Sequence, residues 1–120
     1  MLAASVAIPA AAGGEPSGIH GRVFDNTCGG PCAPGLNPRP FEGPARVVVR
    51  TRPDHEVVAV TAVQQSRFRV EVAPGLYRVR VIPYPDQPKD QCWKGSVKRA
   101  QVKPGQFTRV RLTVENICVV

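Results

Sequence analysis

The sequence predicts an all-β fold, a seven-strand antiparallel β-sandwich, and three observations predict it. Apolar residues recur with a period of two in short runs. Valine dominates the apolar set while leucine and methionine are scarce, and β-branched side chains suit a pleated sheet. Eleven glycines and thirteen prolines cluster between the runs, where a chain must turn. No window carries helical periodicity of useful length. The 120 residues suffice for one domain with a real core.

The first strand is expected over Gly18–Phe24, with Ile19, Gly21 and Val23 on one face and His20, Arg22 and Phe24 on the other. A loop dense in Pro, Gly and Cys follows from Asn26 to Pro44, too long for a simple strand connection. Ala45–Arg50 is the second strand, its Ala45, Val47 and Val49 inward. Arg52-Pro53-Asp54-His55 forms a turn, with proline at its second position. Glu56–Val63 is the third strand, whose unbroken apolar run leaves its faces undecided.

Gln64-Gln65-Ser66 turns into the fourth strand, Arg67–Val72, with Phe68, Val70 and Val72 inward. Ala73-Pro74-Gly75 turns into the fifth, Leu76–Val81, with Tyr77, Val79 and Val81 inward. A second proline-rich loop runs from Pro83 to Gln91. Gly95–Val102 is the sixth strand, Lys103-Pro104-Gly105-Gln106 a turn, and Phe107–Val114 the seventh, with Val110, Leu112 and Val114 inward. The fourth and fifth strands are expected to pair as a hairpin, and so are the sixth and seventh.

Four cysteines, Cys28, Cys32, Cys92 and Cys118, suggest two disulfides, for which three connectivities exist. Cys28–Cys32 would close a tight turn through Gly29-Gly30-Pro31. Cys92–Cys118 would tie the loop before the sixth strand to the end of the seventh, if those strands form a hairpin about Pro104-Gly105. Disulfides persist in oxidising compartments, so the chain is expected to be exported, to the extracellular space, cell surface or periplasm. Leu2 to Ala12 fits this in part, as an apolar stretch before an A-x-A site that lacks a basic n-region. Residues 1–17 are accordingly read as leader and linker, a truncated signal peptide in form, and 18–120 as the domain. The leader segment is too short to span a bilayer.

The formal net charge is +7, carried mostly by arginine. Such a balance favours anionic partners or simply keeps a surface solvated. Arg67 and Arg69 flank Phe68, and Arg78 and Arg80 flank Val79. If their strands form a hairpin, period two sets all four on one outward face, a candidate anion-binding patch. Arg109 and Arg111 repeat the pattern on the last strand. Trp93, with Tyr84 and Phe41, falls in or near a loop. Trp93 is a candidate for stacking on a ligand, or else a plug for the core beside Cys92.

No catalytic constellation is expected. His20 and His55 carry no signature linking them to a nucleophile, and the acids are scattered. Cys28 and Cys32, with three residues between them, do not have structural-zinc spacing. No cofactor, metal or specific nucleic-acid motif is expected, since Gly29-Gly30 lacks the helix and lysine of a phosphate loop.

Four segments together resemble a known family. They are Gly18-Ile19-His20-Gly21-Arg22-Val23, Gly43-Pro44-Ala45-Arg46-Val47-Val48-Val49, the stretch from Arg67 through Ala73-Pro74-Gly75 to Tyr77-Arg78-Val79, and Val102-Lys103-Pro104-Gly105-Gln106-Phe107-Thr108. Over roughly residues 18–115 the chain resembles the carboxypeptidase regulatory-like domain, one of the prealbumin-like (transthyretin-like) sandwiches, in a secreted bacterial form with a cysteine-bearing first loop. It departs from the pattern in having Gln65-Ser66 where an Asp-Gly turn is usual. The resemblance implies a Greek-key sandwich and an exported accessory module without catalysis. The alternative expectation is a cell-envelope binding module that holds an anionic polymer or carbohydrate, or a protein partner.

Overall fold

The computed structural model describes residues 15–27, 38–86 and 92–118. Among them the chain is all-β, with nine strands in two facing sheets. The strands are β1 (Gly18–Asp25), β2 (Arg39–Pro40), β3 (Ala45–Thr51), β4 (Val57–Ala62), β5 (Arg67–Glu71), β6 (Gly75–Pro83), β7 (Trp93–Gly95), β8 (Val97–Val102) and β9 (Phe107–Asn116). The seven expected strands are all present, with two short additions, β2 and β7. Trp93 and Lys94 extend what was read as the start of the sixth strand, and the chain then switches sheets.

The first sheet has β1 at its centre, with β9 and then β7 on one side and β5 and β2 sharing the other. The second runs β4-β3-β6-β8. Inward rows from both meet in one core that includes Ile19, Val23, Val47, Val49, Phe68, Val70, Tyr77, Val79, Val81 and Leu112. Every residue assigned inward from period two is buried, Gly21 included. Burying each of these side chains contributes roughly 1.5–3 kcal/mol.

Two pairings differ from expectation. β5 pairs with β1, and β6 with β3 and β8, so Ala73-Pro74 carries the chain from one sheet to the other instead of closing a hairpin. β8 pairs with β6 while β9 pairs with β1 and β7, so Pro104-Gly105 is likewise a crossing between sheets. The reason is geometric: a strand with one buried face can bury it from either layer, and the turn residues serve both routes. Nor is the fold wholly antiparallel, since β1 and β9 run parallel from Gly18↔Phe107 to Asp25↔Val114. The Arg52–His55 turn does close a hairpin, between β3 and β4, and its Arg52–Pro53 peptide is cis.

Three corners show how the crossings are held. At the first, Gln65 and Ser66 both adopt left-handed backbone angles, φ 53° and 64°. Gln64 and Arg67 exchange backbone hydrogen bonds across them at 2.9 Å, and Ser66 Oγ donates to Phe41 O at 2.7 Å. This is the conformation an Asp-Gly pair would adopt more easily, supplied here by two residues with side chains. At the second, the buried Tyr77 hydroxyl donates to Ala73 O. At the third, between β7 and β8, Ser96 bonds both layers. Its N–H donates to Thr113 O and its Oγ accepts from Thr113 N, each at 2.9 Å, while its carbonyl accepts from Val81 N at 3.2 Å. The preceding Gly95 has no room for a side chain: a Cβ there would lie 1.8 Å from Val81 O.

The residue before the first strand packs onto the sandwich. Ser17 is buried, and its Oγ donates to Val72 O at 2.8 Å.

Candidate functional site: a basic sheet face

The outward positions of β5, β1 and β9 form two rows. Register places Arg67, Arg22 and Arg111 side by side, and next to them Arg69, His20 and Arg109. Neighbouring strands lie about 4.8 Å apart, and successive outward residues about 6.8 Å apart. Five guanidinium groups and an imidazole thus rise from a patch of sheet little wider than two strand spacings. The five arginines are exposed. The flanking acids sit at the margins: Glu71 lies one step beyond Arg69 on β5, and Glu115 pairs with Lys94 at the far end of β9.

Like charges placed across strands repel by up to about 1 kcal/mol per pair. Here three of the five guanidinium groups rest on aromatic rings. Arg69 lies over Phe107 at 3.7 Å from the ring centroid, and Arg111 and Arg22 lie over Phe24 at 4.3 and 5.0 Å. Such contacts contribute about 0.5–1 kcal/mol each at exposed sites, and they hold the cations without neutralising them. Gly18, the register neighbour of Phe107, leaves room for its ring. A Cβ on Gly18 would meet Phe107 Cε2 at 2.7 Å and Val70 O at 2.1 Å. Beside the rows, at the margin where β5 approaches the end of β4, lies an open groove of about 680 Å³. Arg22, Arg67, Arg69, Arg109 and His20 line it on one side, and Thr61 and Gln64 on the other.

The four arginines expected on one face are divided between two. Arg67 and Arg69 belong to the patch just described, whereas Arg78 and Arg80 face outward from the other sheet, because β5 and β6 are in different layers. There Arg50, Arg78 and Arg99 make a row, and His55 Nδ1 is 3.4 Å from Arg78 Nη1. In the next row Arg80 stands between Val48 and Val97. Arg22 is the member of the first patch that sequence reasoning placed outward but did not enlist. Its partners became legible only once β9 was paired with β1.

Trp93 is half-buried in β7 and packs with two other loop aromatics. Ring centroids are 5.6 Å from Phe41 and 5.1 Å from Tyr84, with Phe41 and Tyr84 5.8 Å apart. The three close one end of the core. Cys92 and Cys118 are disulfide-bonded with Cα atoms 5.0 Å apart. The expected pairing therefore occurs, through a different geometry. β7 pairs with β9 at Trp93↔Asn116, and Ile117 N donates to Cys92 O at 2.6 Å, so the two cysteines meet just past that short ladder. Cys28 and Cys32 lie outside the described residues.

Burial pushes the Tyr77 phenol above its ordinary pKa. Among the described residues no three of His, Cys, Asp and Glu converge as a metal site would require, and no helix is long and apolar enough to cross a membrane. Neither any family model nor any curated protein matches the chain.

Proposed function

We propose that this chain is a non-catalytic, exported binding module that holds an extended anionic polymer of the cell envelope on the β5–β1–β9 face. One observation carries the reading: two adjacent rows holding five guanidinium groups, three of which rest on aromatic rings. A cluster built only for solubility gains nothing from lying contiguous, because contiguity costs repulsion. A polymer with closely spaced phosphates or carboxylates recovers that cost, since arginine binds such groups in a bidentate, charge-assisted way. His20 and His55 support a non-catalytic role: the first lies among arginines and edge-on to Phe107, the second against Arg78. The Cys92–Cys118 bridge is compatible with an oxidising compartment. The two-sheet architecture is compatible with a Greek-key, carboxypeptidase regulatory-like sandwich, which we retain as the family reading.

The test is retention on an immobilised acidic wall polymer at low and high salt. Changing Arg22, Arg67, Arg69, Arg109 and Arg111 together to Gln should abolish salt-sensitive retention. Changing Arg50, Arg78, Arg80 and Arg99 instead should largely preserve it. Equal retention of both variants and the parent, all folded, would reduce the patch to solvated surface and leave an accessory structural role.

A further inference from the structure

A second cavity opens on the outer face of the other sheet. Its volume is about 230 Å³, and Arg50, His55, Arg78, Arg80 and Val97 line it. Register explains the grouping. Arg50 and Arg78 are partners across β3 and β6, and Arg80 and Val97 are partners across β6 and β8, one outward step further along. The β3–β4 turn adds His55. Its N–H donates to Thr51 O at 2.8 Å, and Thr51 is bonded to Glu56 through both its N–H and its Oγ1, at 2.9 and 3.1 Å. His55 has a left-handed φ of 59°. A residue with a side chain keeps that conformation only where its surroundings fix it, so the imidazole is anchored before any ligand arrives.

The cavity gathers hydrogen-bond donors. His55 Nδ1 lies 3.4 Å from Arg78 Nη1. A guanidinium group donates and never accepts. In this contact Nδ1 is therefore the acceptor, and the imidazole proton sits on Nε2, a further donor. The arginines also lack the support found on the first face: none of Arg50, Arg78 and Arg80 lies over an aromatic ring, as Arg22, Arg69 and Arg111 do. Arg50 is half-buried, and a cation partly withdrawn from water gains most from an anionic partner.

We propose that this cavity binds a small organic anion, one oxyanion head group carried on a short apolar body. The head group accepts the guanidinium and imidazole N–H bonds, which are strongest when charge assists them. Val97 supplies the apolar wall for the body. The volume is below the roughly 300–1,000 Å³ of pockets that take drug-sized ligands, which suits one head group and not a polymer. The arginine rows lie on the opposite sheet, so this inference is independent of polyanion binding.

Amide NMR titration of the full chain with phenyl phosphate tests it. Saturable shifts should centre on His55, Arg78, Arg80 and Val97. Phenyl phosphate should bind more tightly than inorganic phosphate, and Val97→Ser should remove that advantage. Arg78→Gln and Arg80→Gln, both at exposed positions, should each weaken phenyl phosphate binding at least about tenfold. The variant with Arg22, Arg67, Arg69, Arg109 and Arg111 changed to Gln should bind it like the parent. Shifts that do not saturate at millimolar ligand, equal affinity for inorganic phosphate, folded Arg78 and Arg80 variants that bind like the parent, or loss of binding in the five-arginine variant would each overturn the proposal.

Discussion

The outer face of β5–β1–β9 and the outer face of β4–β3–β6–β8 are both rich in arginine, yet they make different surfaces. On the first, register aligns arginine with arginine across three strands, and aromatic rings at Phe24 and Phe107 support the rows. On the second, one row does the same, Arg50-Arg78-Arg99, but the next sets Arg80 between Val48 and Val97. Val48 points outward yet is only 7% exposed, in a row with Val60 and Arg80, as expected where long arginine stems lie over an apolar neighbour. The same residue type at the same period thus gives a charged surface in one sheet and a mixed, partly apolar one in the other. Strand partnership decides between them, and composition does not.

The most drastic way to break this contrast is to remove part of the layer separating the faces. Phe68 lies beneath the arginine rows, against Gly21. Phe68→Ala should cost roughly 3–5 kcal/mol, a large share of a small domain's stability, and would be read as a fall in urea midpoint. An unchanged midpoint would mean that β5 does not bury this ring.

The disulfide sharpens the contrast, because it fastens β7 to β9 within the first sheet alone. Changing Cys92 and Cys118 together to Ser should cost about 3 kcal/mol by loop entropy. Amide exchange should rise first in β7 and the end of β9, with β3 and β6 protected until global unfolding. Uniform loss of protection would show that the bridge stabilises both sheets alike.

The arginine exchange described above comes next in size. Retention of the five-arginine variant should drop at least about tenfold, equivalent to about 1.4 kcal/mol, while the variant of the valine-lined face changes little. In the parent, retention should fall steeply as the Debye length shrinks from about 10 Å at 0.1 M to about 3 Å at 1 M salt.

The smallest effect concerns the corner between the sheets. The Tyr77 phenol is harder to ionise in the fold than in the unfolded chain. Its contribution is therefore complete below the unfolded pKa of about 10 and is lost as pH rises from there through the raised folded value. Tyr77→Phe should cost about 1 kcal/mol at neutral pH through the lost bond to Ala73 O. It should also flatten the decline in stability above pH 10 relative to the parent, and a parallel decline would remove the phenol as its cause.

The rows of inward residues were legible in the sequence because period two is a local property. Phe68-x-Val70-x-Val72 and Tyr77-x-Val79-x-Val81 declare their buried faces without reference to any partner. Partnership is not local. Ala73-Pro74-Gly75 and Pro104-Gly105 turn the chain, and nothing in them distinguishes return beside the same strand from passage to the opposite layer. That gap split the expected four-arginine patch and hid the one that Arg22 and Arg109 complete. It also explains how the Cys92–Cys118 pairing could be anticipated from a hairpin that does not form. Gly95-Ser96 read as the opening of a strand because its actual constraint, the Val81 carbonyl pressed against Gly95, comes from residues distant in sequence.

The parallel ladder of β1 and β9 has a mechanical consequence. Because both strands run the same way, Gly18 lies beside Phe107 at one end of the sandwich, while Asn116 emerges past Asp25 at the other. Tension applied to the chain before Gly18 and after Asn116 pulls these two strands past each other along their length. The backbone bonds from Gly18↔Phe107 to Asp25↔Val114 are then loaded together in shear, not opened one at a time as in a peeled hairpin. A segment tethered at one end and burdened at the other would bear force across its longest ladder.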